Sequence, residues 1–179
     1  KFHLYSGTNT ICKTSLVLSD PIRWNGRKNP YLYTAEVKVR EKGILVDSLS
    51  QTFGLRTVGI TQENGFELNG VPYPVYGVSR HQDMKDKGWA LSKADEEADM
   101  DCIKDIGATA IRMAHYPQST YIHDIADREG FLVWDEVSLV NDTRNSPDFN
   151  ENTCRFMQEM VHQLYNHPSI AWWGIYNEI

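Results

Sequence analysis

The sequence predicts two fold classes in succession: all-β over residues 1–60 and parallel α/β over residues 61–179. Three observations carry this. Residues 31–40 alternate apolar and polar side chains with a period of two. From residue 75 onward, short apolar runs alternate with stretches of helical periodicity. Each of those runs ends in polar side chains suited to acid–base work, the last in Asn177 and Glu178.

Tyr33, Ala35, Val37 and Val39 alternate with Thr34, Glu36, Lys38 and Arg40, giving one wet and one dry face. Glu41, Lys42 and Gly43 make a turn, and residues 44–58 return as one or two strands. Asp20-Pro21 and residues 24–30, rich in Pro, Gly and Asn, form a long connection. An antiparallel sandwich fits, with three or four of its strands visible and its beginning expected to lie outside the chain.

Asn69-Gly70 then marks a type I′ hairpin. The predicted strands of the second segment are residues 75–78, 109–113, 131–134 and 170–176. Between them, Ser92 and Asp95 form a capping box that opens a helix with Ala98, Cys102, Ile103 and Ile106 as its apolar face. Tyr121, Ile122, Ile125 and Ala126 make the next helical face, closed by Gly130. Phe156, Met157, Met160, Val161, Leu164 and Tyr165 make the third, stopped at His167-Pro168. Strand–helix alternation of this length predicts βαβ units and a parallel sheet.

Composition narrows the function. There are 18 Lys and Arg against 24 Asp and Glu, a formal charge of −6, and no basic cluster. This argues against nucleic acid or an anionic membrane as partner. No apolar run approaches the roughly 20 residues of a membrane span, and the first residues lack a leader pattern. Cys12, Cys102 and Cys154 are far apart and odd in number, so they read as free thiols. The 5 Trp and 9 Tyr are numerous enough to supply stacking platforms for sugar rings as well as core.

The polar strand ends point to a site. They are Arg80, His81 and Asp83, then His115 and Tyr116, then Asp135 and Glu136, then Asn177 and Glu178. Polar groups in register at the carboxyl ends of successive parallel strands line the usual active face of such folds. Glu178, beside aromatic residues on a strand expected to be buried, is predicted to hold its proton as a general acid. Asn177, His81 and His115 are placed to hydrogen-bond a sugar, and glycoside hydrolysis needs two such carboxyl groups.

The segments 77–83 (Gly-Val-Ser-Arg-His-Gln-Asp), 111–117 (Ile-Arg-Met-Ala-His-Tyr-Pro), 134–136 (Trp-Asp-Glu), 166–170 (Asn-His-Pro-Ser-Ile) and 173–178 (Trp-Gly-Ile-Tyr-Asn-Glu) resemble those of glycoside hydrolase family 2, in the same order. Residues 29–33 and 53–56 resemble the end of the domain that precedes that family's barrel. The resemblance implies a multi-domain chain: a partial immunoglobulin-like β-sandwich over 1–60, then the first four β/α units of a (β/α)8 TIM barrel over 61–179. It implies a retaining exo-acting β-glycosidase of bacterial type, with wording nearest to β-galactosidases and further from β-glucuronidases and β-mannosidases. By the same resemblance Glu178 is the general acid/base, and Asn177 contacts the sugar 2-hydroxyl. His115 and His81 bind the sugar, while Asp83, Arg112, Asp135 and Glu136 line the pocket. The nucleophile glutamate is expected beyond residue 179, leaving these residues alone inactive. No cofactor is expected. The Mg²⁺ of some relatives would need ligands where this chain has Val140 and Asp142. The expected partner is a carbohydrate, with self-association through the open half-barrel edges, and the compartment stays open between cytoplasm and periplasm.

Three rival readings follow from the residues. One is a metal-dependent hydrolase ligated by His81, Asp83, His115 and Glu136. Another is a complete catalytic pair of Glu136 and Glu178. The last is a non-catalytic sugar-binding or interaction module built on exposed aromatics.

Overall fold

The computed structural model describes Gly7, Asn9 and residues 11–179. Strands β1 (Tyr33–Glu41) and β2 (Ile44–Phe53) pair antiparallel from Tyr33↔Phe53 to Glu41↔Ile44, with a register shift at Val39/Arg40. The strand pairing is present but the predicted dry face is not dry: Val37 and Leu49, directly paired, are both exposed. Nothing covers that face among the described residues. The next strand, β3 (Val58–Thr61), leaves this ribbon and joins β4 (Gly65–Leu68) and β5 (Val71–Pro72) in a separate three-stranded sheet. Asn69 and Gly70 have φ of 56° and 77°, as a type I′ turn requires.

This small sheet closes the amino-terminal end of the parallel sheet through Trp24. Its indole is fully buried and packs with Leu68, Tyr73, Ala110 and Leu132, while Nε1 donates to the Asp127 carbonyl at 2.9 Å. Ala110 and Leu132 open the strands β7 (Ala110–Met113) and β8 (Leu132–Glu136), which places the cluster at the strand origins. Arg56 ties the same end down from the other side, donating to the carbonyls of Pro168 (3.0 Å) and Ile170.

The second segment is a four-stranded parallel sheet in the order β6 (Gly77–Arg80), β7, β8, β9 (Ile170–Gly174). Three helices connect the strands: α1 (Lys93–Asp105), α2 (Thr120–Glu129) and α3 (Pro147–Leu164). Their starts follow from local chemistry. Ser92 and Asp95 close a capping box, and Ser119 and Ser146 accept backbone N–H groups at the heads of α2 and α3. Helix α2 ends at Gly130 with φ 80°, a left-handed turn that glycine adopts freely, and a Cβ there would collide with the Gly26 backbone. The core lies between the sheet and the helices: Ile111, Met113 and Val133 from the strands meet Met100, Ile122, Ile125, Phe131, Met160 and Leu164.

Two expectations need correction here. Helix α1 buries Glu96 and Met100 and half-buries Ile103, whereas Ala98, Cys102 and Ile106 are exposed. Apolar spacing alone chose the wrong face, because Glu96 finds the Ser119 hydroxyl as partner at 3.1 Å and so tolerates burial. The fourth strand ends at Gly174, not residue 176, and only its two end residues are fully buried. It pairs with β8 alone among the described residues, so its central Ala171, Trp172 and Trp173 stay half-buried.

A second polar pair sits inside the helix-side core. His123 and Asp135 are both fully buried, with Nε2 and Oδ2 2.9 Å apart, and His123 Nδ1 lies 3.0 Å from the Ser119 carbonyl. Both ring nitrogens face acceptors, which favours the doubly protonated imidazolium. Burial opposes that charge, but the hydrogen bond and charge of Asp135, with the Ser119 carbonyl and Asp127, outweigh it and raise the His123 pKa.

Two outcomes follow. Trp24→Ala should lower unfolding stability by about 3–5 kcal/mol in denaturant titrations, the range for an aromatic truncated in a core; a loss under about 1 kcal/mol would contradict the closure role. A histidine whose folded pKa is raised stabilises fully below its unfolded value of about 6.5, and this is lost as pH rises through the folded value. Unfolding stability should therefore fall from pH 6 to pH 9 more steeply in the wild type than in Asp135→Asn, and equal slopes would refute the charged pair.

Candidate active site

The site grows from strand alternation. On β7, Ile111 and Met113 enter the core and Arg112 between them faces the concave side of the sheet. On β8, Trp134 and Glu136 share that side, Arg112 pairing in register with Trp134. Arg112 thus meets Glu136 across the strands: Nε to Oε1 is 2.8 Å and Nη2 to Oε2 is 3.2 Å. Glu136 is 1% exposed, so this bidentate pair supplies its compensating charge. The Arg112 carbon Cζ also lies 5.5 Å from the Trp134 ring centroid.

The same guanidinium fixes two further groups. Its Nη2 donates to Asn177 Oδ1 at 2.7 Å and lies 3.1 Å from His115 Nδ1, which is itself 3.2 Å from Glu136 Oε2. An arginine has only donors, so Asn177 must present its carbonyl oxygen and keep its NH₂ free to donate elsewhere. The Asn177 backbone is pinned as well, donating to the Leu139 carbonyl at 2.8 Å and accepting from Asn141 N–H at 3.0 Å. His81 extends the cluster, its ring 5.2 Å from that of His115 and edge-on to it. The Ala114–His115 peptide is cis.

Arg112, His115, Glu136 and Asn177 are therefore brought together by hydrogen bonds, with His81 against His115. Glu178 follows Asn177 in a left-handed conformation, φ 53°. It is exposed, which corrects the expected burial on a strand: the strand has already ended at Gly174, and the aromatic residues before Glu178 do not enclose it. Asp83 is exposed in the loop after β6 and makes no hydrogen bond or ion pair with the other candidates. Asp135 is a further correction. It neighbours Glu136 in sequence, so alternation sends it to the opposite face, into the pair with His123 and away from the pocket. Arg80 behaves likewise, buried against Asp99 and Gln118 on the helix side.

Gly174 was not foreseen as part of the site. A Cβ at this position would lie 2.5 Å from both Glu136 Cγ and Trp134 Nε1, so only glycine leaves room for the Arg112–Glu136 pair. Its register opposite Glu136 was the available signal, and strand pairing is needed to read it.

The residues do not fit a metal centre. Val140 offers no side-chain ligand atom, Asp142 is exposed, and both Glu136 oxygens are already bound by the Arg112 guanidinium. Among the described residues no three His, Cys, Asp or Glu side chains converge. Nor does any helix among them have the length and apolarity to cross a membrane.

Comparisons with known proteins identify the family. Residues 58–179 match the family model described as glycosyl hydrolases family 2, TIM barrel domain, and residues 2–56 match glycosyl hydrolases family 2. A β-glucuronidase of Bacteroides fragilis is 35% identical over 97% of this chain and 28% of its own length. A β-galactosidase of Bacteroides ovatus is 30% identical over 97% of this chain and 21% of its own. The apo structure of Bacteroides uniformis β-glucuronidase 3 superimposes with a TM-score of 0.84 and 32% identity, covering 90% of this chain and 20% of that one. The chain thus spans about a fifth to three-tenths of the length of the relatives it matches. Its two segments are the immunoglobulin-like domain and the start of the TIM barrel domain, and the chain belongs to glycoside hydrolase family 2.

Proposed function

We propose that these residues are part of a longer retaining exo-acting β-glycosidase and carry its proton donor, Glu178. Residues 1–60 are assigned to the sandwich domain and 61–179 to the first four β/α units of the barrel. The observation that carries the reading is the contact of Arg112 with Asn177. It turns the Asn177 NH₂ outward as a fixed donor for a sugar hydroxyl, one residue from an exposed carboxyl group at the carboxyl end of the sheet. His115 and His81 complete the polar wall.

In a retaining reaction, Glu178 gives its proton to the leaving oxygen while a second carboxylate attacks the sugar carbon from the opposite side. Glu178 then takes a proton from water as the covalent intermediate is released. Glu136 is a poor choice for the second carboxylate. Both its oxygens are bound by Arg112, and the side chain is buried. The attacking group is assigned to a part of the barrel outside these residues.

The substrate is a terminal β-linked sugar. Relatives bearing the name β-glucuronidase recur alongside those named β-galactosidase, so glucuronides are at least as well supported as the galactosides expected from motif wording. Parallel assays with nitrophenyl β-glucuronide, β-galactoside and β-mannoside decide among them.

In the full-length enzyme, Glu178→Gln should lower kcat on a glycoside with a poor leaving group by about 10²–10⁴-fold, the usual worth of a general acid. The loss should be smaller with a nitrophenyl leaving group, which needs little protonation. Equal activity of mutant and wild type on both would remove Glu178 from the mechanism. Residues 1–179 alone should turn over no nitrophenyl glycoside, since the covalent step lacks its nucleophile. They should also self-associate in light scattering, through exposed Tyr76 and Ile106 at one edge and Ile175 at the other. Turnover by a clean monomer would contradict both statements.

A further inference from the structure

The Trp89 side chain is 63% exposed, whereas the buried Trp24 of the same chain is fully enclosed. A single exposed aromatic is ordinary. Trp89 differs in being held in place and in being joined to the site. Its ring stacks on Tyr116, with centroids 4.7 Å apart and planes 27° apart, while most of the side chain stays open to solvent. Tyr116 lies 6.1 Å from the His81 ring, and His81 lies 5.2 Å from His115. A continuous row of rings thus runs from the Arg112 cluster outward to Trp89.

The loop that presents Trp89 is closed on itself. Met84 and Gly88 bond both ways (3.1 and 2.9 Å), Lys87 pairs with Asp95 at the head of α1 (2.6 Å), and Leu91 N–H donates to the Trp89 carbonyl (2.9 Å). The platform beneath it is fixed too, because Gln82 N–H donates to the Tyr116 hydroxyl at 3.1 Å. An aromatic surface ordered in advance binds a ring with little further loss of conformational freedom.

We propose that the Trp89–Tyr116 stack is the leaving-group subsite, a specificity-determining platform for a six-membered ring attached through the glycosidic oxygen. This rests on the glycosidase reading above. The terminal sugar occupies the polar wall of His81, His115 and Asn177, so the group beyond the scissile bond extends toward the mouth, where Trp89 waits. The C–H face of a pyranose or the face of an aryl ring suits such a surface; a methyl group does not reach it.

The test compares Trp89→Ala with wild-type full-length enzyme on three substrates sharing one terminal sugar: a β-disaccharide, an aryl β-glycoside and a methyl β-glycoside. The expected result is a fall in kcat/KM for a ring-bearing substrate about tenfold larger than for the methyl glycoside, the worth of one stacking contact. Trp89→Phe should restore most of it. A fall confined to the disaccharide assigns the platform to a sugar, one confined to the aryl glycoside to an aromatic group, and a fall in both to either ring. Equal changes on all three substrates, or none, overturn the subsite while leaving the glycosidase reading intact. A wild-type enzyme inactive on every β-glycoside overturns that reading and the subsite with it.

Discussion

The Arg112 guanidinium holds the site together. It lies on the concave face of β7 and is shared among a buried carboxylate on β8, an amide after β9 and a histidine after β7. Each of those groups depends on it differently. Glu136 needs its charge, since a carboxylate sealed from water and left unpaired costs about 3–5 kcal/mol. Asn177 needs its donor, which fixes the direction of the amide. His115 is oriented between the cation and the carboxylate. One long side chain thus converts three neighbouring strands into a single rigid wall.

That wall is possible because the other face of the same strands is dry. Alternation sends Ile111, Met113 and Val133 into the helix layer while Arg112, Trp134 and Glu136 face the opposite side. Asp135 and Arg80 are the exceptions, polar residues on the helix side, and each has found a partner, the buried His123 and the half-buried Asp99. At the strand origins, Trp24 and Arg56 bind the preceding segment to the barrel floor through the Asp127, Pro168 and Ile170 carbonyls. The sheet is therefore fixed at its origin by apolar burial and backbone hydrogen bonds, and at its carboxyl end by an ion pair. The candidate site residues sit at the end whose geometry is held by polar contacts.

The sequence by itself determined the order of elements, since each is encoded locally. Period-two and helical patterns, the Ser92–Asp95 capping box, the Asn69-Gly70 turn and the Gly130 stop all appear in the structure. It also placed His81, His115, Glu136 and Asn177 at one end of the strands, because that needs only the direction of each run. It did not determine which way a residue at a strand end faces. Asp135 and Glu136 are equally polar neighbours, and only the pairing of β8 with β7, which brings Arg112 to one of them, separates pocket from core. Nor did spacing foresee that Glu96 is buried and Ile106 exposed on α1, or that the last strand stops at Gly174 and leaves Glu178 open. Those outcomes were decided by tertiary structure, because a charge can be buried, and a glycine is required, only where a partner from a distant part of the chain arrives to meet it.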